Sequence, residues 1–207
     1  LEDTVVYVEY QLFEERTGDE QIIIRLERPT EGIWTFTLFG DLIVDGRVDL
    51  YLPRKDFIKE ETVFLQPDPY MTITFPATSI GLISTGAYNH QTGSLYLGSS
   101  RGLTRDLELK PNLVAPGVNV IGPLPGNRYG AMTGTSVSAA ITAGAAALML
   151  EWGINYGNDP DMDTQKVLNY LIAGATRSDN LIYPNREWGY GKLNLFGTFE
   201  ALKGYKS

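Results

Sequence analysis

Residues 134–150 read Gly134-Thr135-Ser136-Val137-Ser138-Ala139-Ala140-Ile141-Thr142-Ala143-Gly144-Ala145-Ala146-Ala147-Leu148-Met149-Leu150. From Val137 to Leu150 there is no charged residue, and alanine, which recurs throughout, heads the helix-propensity scale. The run meets Glu151-Trp152-Gly153, where a glycine in the position past the last turn can end a helix. The stretch predicts a helix over 137–150, buried on all sides. Its small side chains make a thin cylinder that a parallel sheet can approach closely. At about 14 residues and roughly 21 Å it falls short of the ~20 residues that cross a bilayer, so it reads as a core helix.

The first turn of that helix admits two readings. Thr135 or Ser136 can cap it, a side-chain oxygen accepting from an orphan N–H. Alternatively, Thr135 and Ser136 form a helix N-terminus at which the Ser136 hydroxyl stands beside outward-pointing N–H groups, where a developing oxyanion is stabilised. Local sequence leaves both open.

The flanking segments bear on the choice. Lys110-Pro111-Asn112-Leu113-Val114-Ala115-Pro116-Gly117-Val118 lies upstream, Gly126-Asn127-Arg128-Tyr129-Gly130 leads into Met132-Thr133-Gly134-Thr135-Ser136, and Trp188-Gly189-Tyr190-Gly191-Lys192-Leu193-Asn194 follows. In this order and spacing, residues 76–203 resemble the C-terminal half of subtilisin-like serine peptidases. The resemblance implies a nucleophile at Ser136, a polypeptide substrate and no cofactor or metal. It also implies the chain order Asp…His…Ser for the triad. Phe75-Pro76-Ala77 occupies the place where the family lines its P1 side-chain pocket, so the resemblance gives Pro76 and Ala77 a substrate contact; their plainer reading is the start of a strand. Asn112 stands where many relatives have Asp.

Composition bounds the remaining possibilities. The 207 residues are 43% hydrophobic and 11% aromatic, enough for one or two packed domains. A formal charge of −8 speaks against nucleic acid or an anionic membrane as the main partner. Without cysteine there is no disulfide, thiolate nucleophile or thiolate metal site. The charge is uneven, with 16 acidic and 7 basic residues in 1–75 against 9 and 10 in 76–207. The break predicts two domains, 1–69 and 70–207, joined through Gln66-Pro67-Asp68-Pro69-Tyr70.

In the first of these, residues 4–12 and 21–26 are rich in β-branched and aromatic types and suggest an antiparallel hairpin about Thr17-Gly18-Asp19. Ile33–Phe39 alternates, with Trp34, Phe36 and Leu38 on one face. Asp45-Gly46 is a turn candidate between strands at 42–44 and 47–52. Such strands make part of an antiparallel β-sandwich or jelly roll. A jelly-roll insertion ahead of the serine segment resembles, more narrowly, the clostridial spore-germination proteases. Further on, 80–87, 113–115 and 118–121 read as strands. Asp163-Thr164 begins a helix through Val167, Leu168, Leu171 and Ile172, and a last helix runs from Leu195-Phe196 to Leu202 with Asn194 as its cap. Alternating strands and helices make this an α/β layer, the C-terminal portion of a three-layer parallel-sheet fold.

A serine needs a general base, and the base needs a carboxylate to orient it. The single histidine, His90, lies in a polar loop, Tyr88-Asn89-His90-Gln91-Thr92-Gly93, without the flanks of the family's catalytic histidine; it reads as a surface residue. The family's Asp-Thr-Gly and His-Gly-Thr segments and its oxyanion asparagine are expected ahead of Leu1. The 207 residues are therefore expected to be a piece of a longer protein, inactive alone, exposing an apolar sheet edge and prone to dimerise. Asp159, Asp161 and Asp163 alternate, but Pro160 and the lack of a downstream glutamate favour a solvated helix start over a calcium loop. A second class of function stays open, a pseudopeptidase acting as a binding or regulatory module. The resemblance implies an extracellular or spore-associated protein of a Gram-positive bacterium.

Overall fold

A computed structural model describes residues 3–11, 18–43, 46–53 and 57–204. The chain divides into two compact units, 1–59 and 60–207. In the first, β1 (Val5–Gln11) and β2 (Gln21–Glu27) form the expected antiparallel hairpin. Its register pairs Val6 with Leu26, Val8 with Ile24 and Tyr10 with Ile22, so one face is wholly apolar, as period-two alternation requires. Thr4 closes the open end, its hydroxyl donating to Arg28 O at 3.0 Å and accepting from Thr30 N at 3.1 Å.

The strands expected at 33–39, 42–44 and 47–52 are not present among the described residues. A strand exists only through a ladder partner, and none lies alongside; Phe39 is 91% exposed and Leu42 86%. The ends of three expected features, Leu12, Thr17 and Val44-Asp45, lie outside the described residues.

The second unit is a mixed α/β layer. β3 (Thr85–Tyr88) and β4 (Leu113–Pro116) pair in parallel, while β5 (Val120–Leu124) and β6 (Arg128–Met132) form an antiparallel hairpin. β3 is shorter than the strand expected over 80–87, because residues 80–83 turn and Ile80 stays 85% exposed. The hairpin's second strand has no counterpart in the sequence reading. Gly126 and Asn127, at φ +78° and +55°, supply the left-handed corner that a three-residue hairpin loop demands. On its other side β4 meets residues 189–193: Tyr190 N donates to Asn112 O (2.8 Å), Val114 N to Gly191 O (3.0 Å) and Leu193 N to Val114 O (2.8 Å).

Helix α1 (Thr135–Leu150) crosses this layer and continues as one π-helical turn, Glu151–Asn155. Together they make 21 residues, long and apolar enough to cross a membrane by length and composition. It is not buried on all sides. Ser138, Thr142, Ala145 and Met149 face inward, whereas Ala139, Ala140, Ala143, Gly144, Ala147 and Leu148 are exposed. Among the described residues β3 and β4 pack against it on one side and α2 near its end. Nor does Gly153 end it. That glycine is buried inside the π turn, where a Cβ would sit 2.4 Å from Met162 Cε, and the chain leaves the helix at Gly157, φ +69°.

α2 (Thr164–Ala173) and α3 (Leu195–Gly204) form where the spacing predicts. Asp163 caps α2 by accepting from Lys166 N at 2.8 Å, and Asn194 Oδ1 accepts from Gly197 N at 2.9 Å. Trp152 of the π turn meets Tyr170 of α2 and Phe199 of α3 edge-on, at 6.3 and 6.0 Å. Beneath them Leu113, Met149, Val167, Leu171 and Leu202 form the core.

Candidate active site

Ser136 is exposed in the first turn of α1. The residue in the cap position is Gly134, at φ +151° and ψ +162°, and no side chain caps the helix. That φ favours glycine, and it lets the chain swing from β6 into α1 within two residues. Neither Thr135 nor Ser136 therefore serves as the cap. The first N–H groups of α1 point outward at the positive end of the helix dipole, with no acidic side chain in the first turn.

The neighbouring corner after β4 holds this turn in place. Gly117 N donates to Tyr88 O (3.0 Å), Gly134 N to Gly117 O (2.8 Å) and Asn119 N to Thr133 Oγ1 (3.0 Å). From inside the helix, the Ser138 hydroxyl lies 2.9 Å from Ala115 O and 3.1 Å from Pro116 O, to which it donates. A Cβ on Gly117 would lie 2.4 Å from Ser138 Oγ and 2.6 Å from Ala87 Cβ, so only glycine permits so close an approach. Ser138 is fully buried. A hydroxyl facing inward from an apolar helix has to find an acceptor.

Asn112, just ahead of β4, is buried and joins two segments. Its Oδ1 accepts from Ser84 N and its own N donates to Ser84 O, both at 2.8 Å, while its carbonyl receives Tyr190 N. Gly189, at φ +56°, comes so near that a Cβ there would lie 2.3 Å from Asn112 O. Lys110 is also buried, its Nζ donating to Leu82 O at 3.2 Å and Ser79 O at 3.4 Å. Burial pushes its pKa down, and the charge of Glu108 opposes that shift only in part.

Other residues fall apart from Ser136 in role. His90 is exposed in a turn. Phe75–Thr78 is a turn rather than the start of a strand, with Ala77 N donating to Thr74 O at 2.9 Å, Pro76 exposed and Ala77 half-buried. Of the alternating aspartates, Asp163 caps α2, while Asp159 accepts from Lys166 Nζ at 2.7 Å and from Tyr170 OH at 2.8 Å. The Lys166 hydrogen bond, with help from Tyr170, holds the Asp159 carboxyl below the usual carboxylate range.

Three segments distant in sequence thus meet around β4 and the start of α1, and comparison with known proteins covers this region. The Subtilase family model matches residues 67–191. The C5a peptidase of Streptococcus pyogenes serotype M18 is 31% identical over 148 residues, covering 71% of this chain and 12% of that protein. Subtilisin E of Bacillus subtilis is 34% identical over 126 residues, 60% of this chain and 28% of its own length. The solved Clostridium perfringens CspB protease superposes with a TM-score of 0.64 at 41% identity, over 67% of this chain and 30% of that one. The chain spans well under half the length of each of these proteins. With the family pattern covering residues 67–191, most of the second unit, the chain belongs to the subtilase family.

Proposed function

We propose that this chain is the nucleophile-bearing portion of a serine endopeptidase. Ser136 Oγ adds to the scissile carbonyl of a polypeptide while a general base takes its proton. The C–N bond then breaks, the proton passes to the leaving amine, and water hydrolyses the acyl-enzyme. The N–H end of α1 stabilises the oxyanion at Ser136. The catalytic Asp and His and the oxyanion asparagine come from upstream residues, so the chain alone is inactive. Pro76 and Ala77 line the pocket for the P1 side chain.

The observation that carries this reading is an exposed hydroxyl, Ser136, in an uncapped helix N-terminus within a chain of the subtilase family. In the proposed whole enzyme, residues 1–69 belong to a jelly-roll insertion whose remaining strands lie upstream and 70–207 to a three-layer peptidase domain. The exposed stripe from Ala139 to Leu148 is then covered by the upstream half; in its absence the chain dimerises through its apolar sheet edge. The protein works outside the cell or in the spore of a Gram-positive bacterium, on polypeptide rather than nucleic acid or membrane.

Casein hydrolysis by the whole protein tests the reading. Ser136→Ala is expected to lower kcat by several orders of magnitude. Equal hydrolysis by both proteins, or none by the wild type with its upstream half intact, contradicts it, and the latter result turns the assignment to a pseudopeptidase that binds without cleaving.

A further inference from the structure

We infer that Ser138 is a positioning residue for Ser136, acting through the corner after β4, an inference that rests on the nucleophile reading above. The serine turn is bracketed. Two residues before Ser136, Gly134 N donates to Gly117 O at 2.8 Å. Two residues after it, Ser138 Oγ bonds Ala115 O and Pro116 O at 2.9 and 3.1 Å. Both anchors reach the same stretch, Ala115–Gly117, and that stretch is itself fixed to β3 by Gly117 N on Tyr88 O.

Each half of the bracket has a distinct effect. The Gly134 bond fixes where the chain enters α1, while the inward face of the helix, Ser138, Thr142, Ala145 and Met149, fixes its rotation against β3 and β4. Ser138 is the member of that face nearest Ser136, and its hydroxyl, fully buried in the seam between α1 and β4, fixes the rotation of the first turn. Ser136 is two positions away, about 200° around the helix at 3.6 residues per turn. A hydroxyl anchored on the inner face therefore turns the Ser136 side chain outward. Without the Ser138 donor, the single proton shared between the Ala115 and Pro116 carbonyls is lost and the first turn loses its anchor on the inner face. Geometry of this kind matters to rate because a displacement of about 1 Å in a reacting group costs on the order of 100-fold.

The test is a pre-steady-state burst with p-nitrophenyl acetate in the whole protein, with steady state on a peptide anilide, whose acylation limits turnover, for kcat and KM. Ser138→Ala is expected to slow the acylation burst about 10- to 100-fold and to lower kcat with KM within about twofold of wild type. Thr198→Val is the control. It removes another fully buried hydroxyl, which donates to Asn194 O at 3.0 Å far along the chain, and it is expected to lower the unfolding midpoint without slowing the burst. Ser138→Cys, which keeps a weak donor and suits a case where the alanine variant fails to fold, is expected to give an intermediate rate. A burst in Ser138→Ala or Ser138→Cys as fast as wild type overturns the inference, as does equal slowing in Thr198→Val. Absence of any burst in the wild type refutes instead the nucleophile reading on which it stands, and removes both.

Discussion

Gly117→Ala probes the joint between β4 and α1 with a single methyl group. The backbone accepts alanine there, since Gly117 is not among the residues with positive φ; the obstacle is space. The new Cβ would lie 2.4 Å from Ser138 Oγ, 2.6 Å from Ala87 Cβ and 3.0 Å from Gly134 O. These atoms belong to α1, β3 and the serine turn, so no single side-chain rotation relieves all three. Overpacking of this kind costs about 1–3 kcal/mol. If Ser138 is driven off its two carbonyl acceptors, a further ~1–2 kcal/mol is lost. A total of about 2–5 kcal/mol is a large share of a typical domain's stability. At a urea m-value of about 2 kcal/mol per molar it lowers the unfolding midpoint by roughly 1–2.5 M. The assay is urea unfolding followed by tryptophan fluorescence. Trp188 is buried with its ring 6.2 Å from that of Tyr88, at the end of β3, and reports on this region. The cost of Gly117→Ala should shrink by 1 kcal/mol or more in a Ser138→Ala background, because contacting residues couple. An unchanged midpoint, or the same cost in both backgrounds, would refute the tight joint described here.

Three further outcomes follow from other sites. Gly144→Ala adds a methyl that meets nothing within 4 Å, so in this chain alone it should stabilise α1 by up to about 1 kcal/mol. In the whole protein, where the stripe is covered, the same change should destabilise, and equal signs in the two settings argue against that cover. Asn112→Leu leaves the Ser84 N–H without its side-chain acceptor and should cost about 1–3 kcal/mol, whereas Asn112→Asp keeps an acceptor and should cost less, both read from urea midpoints. The Asp159 carboxyl has a lowered folded-state pKa, so its contribution is present above the unfolded value near 4 and disappears as pH falls through the folded value. Wild type should therefore be more stable than Asp159→Asn at pH 7, and the gap should close as pH falls below about 4; a gap that stays constant on acidification contradicts the pairing with Lys166 and Tyr170.

Much of the second unit was legible because its signals are local. Asp163 and Asn194 mark their helices by side-chain chemistry that acts three residues away, and the Ala-rich run has no competing pattern. What the sequence hid depends on neighbours. A continuous apolar run looks buried all round, yet its burial depends on what packs against it, and among the described residues one side of α1 stays open. Gly153 resembles a helix terminator until Met162, nine residues on, is seen to occupy the space of its Cβ. The strands expected near Trp34 and Leu50 carry the right alternation, but pairing is a property of two segments, and the described residues supply only one. Ser138 was the least visible functional residue. Its one signal is a hydroxyl on the inward face of an apolar helix, and its partners lie 22 and 23 residues earlier.

The nucleophile assignment meets its most direct test in a fluorophosphonate adduct. The whole protein is treated under native conditions, digested, and the modified residue located by tandem mass spectrometry. One adduct is expected, on Ser136, formed by the folded protein and absent after denaturation or in Ser136→Ala. An adduct on another serine, or an unmodified Ser136 beside an intact upstream Asp and His, would contradict it.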